Sequence, residues 1–258
     1  VRAPFFRKAN PNYDVSVSGE FLRARQRDAK INPRKVGVFK TKHLNMWVQA
    51  RNAYFDIEKW REAANPELKL EDFKGKPCRI GLDLASVVDI AAMELTFEHE
   101  GGFARFGRYY LPEATIELPG NEHYRGWREV GWITQTDGDM IDYVTIRDDI
   151  LGMVDAGYLI DEIAFDPHQA HMMMAELRDE GIPVIEVRPL VLNFSPAMKQ
   201  MDGLIRSKMI AHNGDPVFSW MLSNVVAKPD AKDNVYPRKD REQNKIDGPV
   251  AHMMALAR

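Results

Sequence analysis

The most constraining stretch of the chain runs Cys78-Arg-Ile-Gly-Leu-Asp-Leu-Ala-Ser-Val-Val-Asp-Ile-Ala-Ala-Met-Glu-Leu95, where an acidic residue interrupts an apolar, β-prone run. Arg79 to Leu84 reads as one strand and Asp89 to Phe97 as the next, with Ala85 to Val88 as a tight reversal between them. A carboxylate near the end of a core strand, as Asp83 is, pays a large desolvation penalty unless a positive or hydrogen-bonding group meets it. Alone, Asp83 fits a turn cap as well as it fits a site. Two further carboxylates arriving at the same place would make a divalent cation the simpler explanation.

Composition narrows the classes. The 258 residues, 45% apolar and 10% aromatic, suffice for one large domain or two small ones with a real core. The one cysteine, Cys78, excludes an intramolecular disulfide and a thiolate zinc cluster, and favours a reducing, cytoplasmic setting. No apolar run reaches the length of a membrane span, and the opening Val-Arg-Ala-Pro-Phe-Phe-Arg-Lys has no signal-peptide core, so a soluble chain is expected. The net charge of -3 hides an asymmetry: residues 1–60 carry 13 Lys or Arg against 5 Asp or Glu, and the remainder is acidic. The basic part suits nucleic acid or an acidic surface, or simply solvates a helical segment; the acidic part would repel a polyanion unless metal ions offset it locally.

The start without Met, inside the polar phrase Lys8-Ala-Asn-Pro-Asn-Tyr13, leads us to expect a piece of a longer chain. Glu20 to Lys30 favours helix, and Asn45 to Glu62, with Trp47, Tyr54, Phe55 and Trp60, reads as helix-turn-helix with its aromatics in packing. Asn65-Pro66 and Lys74-Gly-Lys-Pro77 punctuate the approach to the first strand, so the expected division is 1–66, a helical remnant and linker, and 67–258, the compact domain. Gly102 to Leu111 completes a three-stranded antiparallel meander after the turn Glu98 to Gly102. Pro112 to Gly138 reads as irregular, with a short helix near Tyr124 to Val130. Tyr143 to Gly157 is a helix, Tyr158 to Asp166 a strand again ending in Asp, Gln169 to Glu180 a helix and Pro183 to Val187 a parallel strand. Helices are then expected over Ser195 to Ser207, Asp215 to Val226 and Asp247 to Ala257, with Asp230 to Asn244 polar and basic.

Three antiparallel strands followed by strand-helix-strand units is the order of the ribonuclease H-like fold, an α/β class with a mixed central sheet flanked by helices. In that architecture the first and fourth strands are central neighbours. Asp83 and Asp166 then stand side by side at strand ends, and Asp247 opens a helix packing across them. Carboxylates this close raise one another's pKa unless Mg²⁺ or Mn²⁺ compensates, and an oxygen donor set without a His or Cys cluster selects those ions over zinc. Each Asp also has a capping role open to it. Asp89 reads as turn chemistry with a possible auxiliary part, His252 as packing, His168 and His171 as lacking partners, and Met172 to Met174 as core.

Four phrases carry a family resemblance. Gly81-Leu-Asp-Leu-Ala-Ser86 with Asp89, Ala164-Phe-Asp-Pro167, Phe218 to Lys228, and Lys245-Ile-Asp-Gly-Pro-Val-Ala-His-Met-Met-Ala-Leu256, in this order, resemble the C-terminal nuclease domain of tailed-phage terminase large subunits of the HK97-like family. The resemblance runs from about Asn10 to the end. It implies a packaging-motor subunit that cuts concatemeric double-stranded phage DNA, in the host cytoplasm and transiently at the procapsid portal. It further implies portal, small terminase subunit and an ATPase domain as partners. The family's metal-binding acids fall on Asp83, Asp166 and Asp247; His252 inherits no role. Residues 1 to about 66 resemble the tail of the ATPase domain. No Gly-x-x-x-x-Gly-Lys-Ser/Thr loop occurs, so a chain of these residues is expected to cut DNA without translocating it.

The expected chemistry is two-metal hydrolysis, with ions roughly 3.5–4 Å apart, Asp83 bridging and Asp166 and Asp247 each holding one ion. Lys228, Lys232, Arg238, Lys239, Arg241 and Lys245 precede Asp247 and suit phosphate contact, or form a solvated loop. No base-reading element is visible. Other readings of the same acids are a junction resolvase or transposase, which leaves the tract Trp220 to Lys228 and the N-terminal 60 residues unexplained, and a non-catalytic assembly module. A sugar-kinase or actin-like ATPase needs a second Asp-Gly loop after an apolar strand, which Thr136-Asp-Gly138 matches poorly.

Overall fold

The computed structural model describes residues 3–31, 39, 43–44, 53–84, 89–167, 171–227, 229–241 and 243–258. They fall into two compact units, Val1–Asn52 and Ala53–Arg258. In the first, helices α1 (Ala3–Ala9) and α2 (Gly19–Ile31) share a small core of Phe6, Leu22, Ala29 and Phe39. Ser18 precedes α2 and its hydroxyl accepts from the Phe21 amide, a normal N-terminal cap. The expected helix-turn-helix over Asn45 to Glu62 lies partly outside the described residues, as does the reversal at 85–88.

The second unit opens with α3 (Ile57–Glu62), capped by Asp56, whose Oδ1 accepts from the Lys59 amide at 3.1 Å. Buried Trp60 lies flat on His212, ring centroids 3.7 Å apart, and its carbonyl accepts from His212 Nε2 at 2.8 Å. Residues 53–66, read from sequence as the end of the linker, are thereby packed into this unit, whose core includes Phe55, Ile57 and Trp60.

The chain then builds β1 (Pro77–Asp83), β2 (Ala91–His99), β3 (Gly102–Pro112), α4 (Glu113–Ile116), α5 (Glu122–Glu129), β4 (Ile133–Thr136), α6 (Tyr143–Asp155), β5 (Leu159–Phe165), α7 (His171–Asp179), β6 (Val184–Glu186), α8 (Val191–Arg206), β7 (Ile210–His212), α9 (Pro216–Asn224), the two-residue strands β8 (Val225–Val226) and β9 (Arg238–Lys239), and α10 (Asp247–Leu256). The sheet order is β4-β3-β2-β1-β5-β6. β1, β2 and β3 form the expected antiparallel meander, and β5 joins β1 in parallel at the centre. This is the ribonuclease H-like arrangement. β4 and β7, absent from the pattern reading, share the outer edge of β3: Ile210–His212 pairs at its start and Ile133–Thr136 at its end. α8 begins a turn earlier than expected, at Val191, which puts Pro196 inside the helix rather than at its start.

Strand alternation divides the core. Ile80, Leu82, Met93 and Leu95 point to one face, covered by Ile146 and Ile150 of α6 and Met173, Met174 and Leu177 of α7. Met172, expected in the core, is 79% exposed; three successive helical residues fan through about 200° and cannot all face one sheet. The other face, with Ala92, Tyr109 and Ala164, is covered by α8, α9 and α10. Each fully buried large side chain in these layers contributes about 1.5–3 kcal/mol relative to exposure. Among the described residues no helix is long and apolar enough to cross a membrane.

Gly81 sets how closely α10 approaches. A Cβ there would lie 1.8 Å from the Ala251 carbonyl oxygen and 3.1 Å from the Ala255 amide nitrogen, both backbone atoms. Gly81→Ala is therefore expected to lower unfolding free energy by at least about 2 kcal/mol. Gly126→Ala, in α5 with nothing within 4 Å of the added methyl, should instead raise it by about 0.5–1 kcal/mol. Urea unfolding of the two variants measures both signs.

Candidate metal centre

β1 and β5 are parallel and in register at Leu82 and Phe165. Asp83 and Asp166 each follow that pair by one residue, so both arrive at the same edge of the sheet. Asp83 shares the face of Gly81 by alternation, the face on which α10 lies. Asp247 is the first residue of α10, and buried Gly248 and Pro249 hold that first turn against the sheet; a proline early in a helix forfeits no intrahelical bond. Three elements thus deliver the three acids expected from sequence to one end of the sheet.

Their electrostatics are those of crowded anions. Burial pushes the Asp83 carboxyl well above the usual carboxylate range, and the charges of Asp247, Asp166 and Asp89 push it further, with Lys239 opposing. Burial likewise pushes Asp247 up to about 6; Asp89 adds to the rise, while its own backbone amide, Lys245 and Lys239 oppose it. One carboxylate oxygen of Asp247, Oδ2, is buried without a hydrogen-bond partner. A buried acceptor left bare beside other carboxylates asks for a proton or a cation.

Asp89, assigned from sequence to turn chemistry, belongs to this neighbourhood. It accepts an ion-paired hydrogen bond from Lys245 Nζ, which brings a cation from the segment just before Asp247. Tyr124 of α5 is buried close enough to feel Asp247 and Asp89, and Tyr236 feels Asp83 and Asp166; burial first, then these anions, raise both phenols. Tyr236 also packs against Phe194, ring centroids 5.7 Å apart and ring planes tilted by 54°. A signal for Asp89 and Lys245 is present in the sequence, since each lies within six residues of a site acid, but local spacing does not reveal which way a loop turns.

The remaining candidates sort plainly. Lys232, Arg238, Lys239 and Arg241 are exposed, and Lys239 is near enough to temper Asp83 and Asp247; Lys228 and His168 lie outside the described residues. His171 is exposed at the start of α7. His252 is fully buried, its Nδ1 3.1 Å from Thr96 Oγ1, and burial together with the Arg105 charge pushes it down to about 3. It is a neutral core histidine, as expected from sequence.

Among the described residues no three His, Cys, Asp or Glu side chains already stand as a ligand cage. The donors nevertheless fit a hard divalent cation: carboxylates only, mutually repelling, one with an orphaned buried oxygen. Asp83, Asp166 and Asp247 are the residues that would hold it, with Asp89 at hand.

The family described as "Terminase large subunit, endonuclease domain" matches residues 2–258. Protein YmfN of Escherichia coli (strain K12) is 36% identical over 265 residues, covering 97% of this chain and 58% of that protein. The crystal structure of the HK97 bacteriophage large terminase superposes with a TM-score of 0.71 at 21% identity, covering 99% of this chain and 54% of that one. The large terminase nuclease from thermophilic phage G20c, in a crystal structure with bound magnesium, gives 0.52 at 14% identity over 81% of this chain and 98% of its own. The chain therefore spans little more than half the length of the first two.

Because the folded state raises the pKa of Asp247, it binds more protons than the unfolded chain between the ordinary carboxylate value and about 6. Native stability is full below that window and falls as pH rises through it. Asp247→Asn should then be more stable than the parent by about 1–3 kcal/mol at pH 7.5 in chelator, with the difference shrinking toward zero near pH 4. Urea unfolding at the two pH values reads this directly, and excess Mn²⁺ at pH 7.5 should stabilise the parent more than the variant.

Proposed function

The chain belongs to the terminase large-subunit endonuclease family, and from that premise we infer that it is a metal-dependent DNA endonuclease that cleaves concatemeric double-stranded phage DNA during genome packaging. The observation that carries this reading is the delivery of Asp83 and Asp166 by adjacent parallel strands, with Asp247 from α10, into one neighbourhood, where burial and then the charges of Asp247 and Asp166 push the Asp83 carboxyl up. The magnesium bound by the G20c relative supports the same ion class here.

Bound Mg²⁺ or Mn²⁺, two ions in the reading favoured here, would supply Lewis-acid polarisation of the phosphate and a water acidic enough to attack near neutral pH. The chain's own residues do the rest. Asp83, Asp166 and Asp247 would hold the cations at the sheet edge, where burial strengthens every charge interaction. Lys245 and Lys239 place positive charge beside the acids and, with Arg238 and Arg241, neutralise backbone phosphates on either side of the cut. Tyr124 and Tyr236, both held protonated, present hydroxyl donors suited to phosphate oxygens. Phosphate contacts of this kind position DNA without reading its bases, so low sequence preference is expected.

The portal, the small terminase subunit and an ATPase domain of a longer chain are proposed partners, at the procapsid portal in the host cytoplasm. Residues 1–66 are proposed as the segment that follows the ATPase domain, and 67–258 as the nuclease proper.

Incubation of the purified chain with supercoiled plasmid and Mg²⁺ or Mn²⁺ should yield nicked and linear DNA. Asp83→Ala, Asp166→Ala and Asp247→Ala should each lose at least about 100-fold in rate, equivalent to about 3 kcal/mol of transition-state stabilisation. Equal cutting by parent and variants would sink the assignment, and a four-way junction cut in preference to linear duplex would turn it toward a resolvase.

A further inference from the structure

Beneath the carboxylate cluster lies a second set of charges that the chemistry above does not use. Glu94 of β2, Arg105 and Tyr109 of β3 and Asp215, the residue capping α9, are all fully withdrawn from solvent. Arg105 Nε donates to Glu94 Oε2 at 2.9 Å, Nη1 to Asp215 Oδ2 at 2.9 Å and Nη2 to the Tyr109 oxygen at 3.0 Å. The Tyr109 hydroxyl stands 2.8 Å from Glu94 Oε1 and 2.6 Å from Asp215 Oδ2. Replacing a buried ion network by apolar side chains of similar volume is often neutral or stabilising, so stability is weak ground for the presence of the quartet.

What the quartet touches supplies one. Asp215 Oδ1 accepts from the amides of Val217 and Phe218, fixing the start of α9. Phe218 lies under the Arg105 guanidinium, 4.0 Å from its ring centroid. Gly248, the neighbour of Asp247, rests on this floor: a Cβ on it would meet Met221 Cε at 2.8 Å, Phe218 Cδ2 at 3.2 Å and Glu94 Oε1 at 3.3 Å. Its amide also points at Met221 Sδ, 3.4 Å away. The first turn of α10 is thus seated on one quartet member and on two side chains of the helix that another member caps.

We propose that the Arg105-centred quartet is a positioning device for the metal centre, setting the height and direction at which Asp247 faces Asp83, with Glu94, Arg105, Asp215 and Gly248 as positioning residues. This rests on the reading of Asp247 as a cation ligand. A buried ion network has few alternative arrangements, whereas apolar packing tolerates small slides, and metal ligation is sensitive to displacements that folding stability barely registers.

The test is Mn²⁺ binding followed by electron paramagnetic resonance, alongside plasmid cleavage, on the full chain. Glu94→Gln and Gly248→Ala are expected to raise the Mn²⁺ concentration for half-saturation at least about tenfold while the circular dichroism spectrum is kept. Met221→Ala, which clears the contact closest to the new methyl, is expected to restore most of the Mn²⁺ binding in the Gly248→Ala background. Parental Mn²⁺ binding in both single variants, or a Gly248→Ala defect that Met221→Ala does not relieve, overturns the proposal. Should Glu94→Gln fail to fold, the Gly248→Ala and Met221→Ala pair decides alone. Asp247→Asn separates the two layers of inference: unchanged Mn²⁺ binding there removes the reading of the site and this proposal with it, whereas lost binding there with parental binding in Gly248→Ala and Glu94→Gln removes this proposal only.

Discussion

The close approach of α10 to β1 at Gly81 is the constraint on which the rest of the structure depends. With a bare α-carbon facing the Ala251 carbonyl, the helix lies directly on the strand, and two acids on separate elements come to share one space. Any side chain at Gly81 would lift the helix and part Asp83 from Asp247. The parallel pairing of β1 with β5 does the same for Asp166, at no added cost, because sheet spacing is fixed by backbone hydrogen bonds. The juxtaposition of the three acids is therefore produced by the two most rigid features available, a parallel ladder and a helix in backbone contact with it.

Much of this was legible in the sequence. Long alternating or amphipathic segments announced β1, β2, β3, α6, β5 and α10, and the acid interrupting β1 pointed to the site. The short strands β4 and β7 were not legible, for a physical reason: four and three residues carry too little periodicity to separate from loop. They exist because β3, with eleven residues, is long enough to offer its outer edge to two partners in turn. Asp89 was read as turn chemistry because its partner Lys245 is 156 residues away.

Glu94 is the more instructive omission. It interrupts the apolar run of β2 as Asp83 interrupts that of β1, and the same desolvation reasoning singles it out. Its partner Arg105 is near in sequence, but Asp215 lies 110 residues beyond Arg105, and no local pattern joins them. The anomaly of a charge in an apolar strand identifies a residue that needs partners; it does not distinguish a metal from a guanidinium. Only the fold decides, by presenting one acid at the rim of the sheet and the other in its interior.

That difference in depth separates two answers to one problem of charge. Glu94 and Asp215 around a single guanidinium would leave the interior one negative charge in excess. Burial pushes Glu94 up to about 8, with Asp215 adding to the rise and Arg105 and the hydrogen bonds from Tyr109 and Arg105 opposing it. The Tyr109 hydroxyl stands between the two acids, within donating distance of Glu94 Oε1 at 2.8 Å and of Asp215 Oδ2 at 2.6 Å. The interior thus meets its acids with partners built into the chain, a guanidinium and a phenol. The rim offers no such built-in partner to Asp247 Oδ2, and in the reading proposed above an ion supplied by the surroundings would answer its charge.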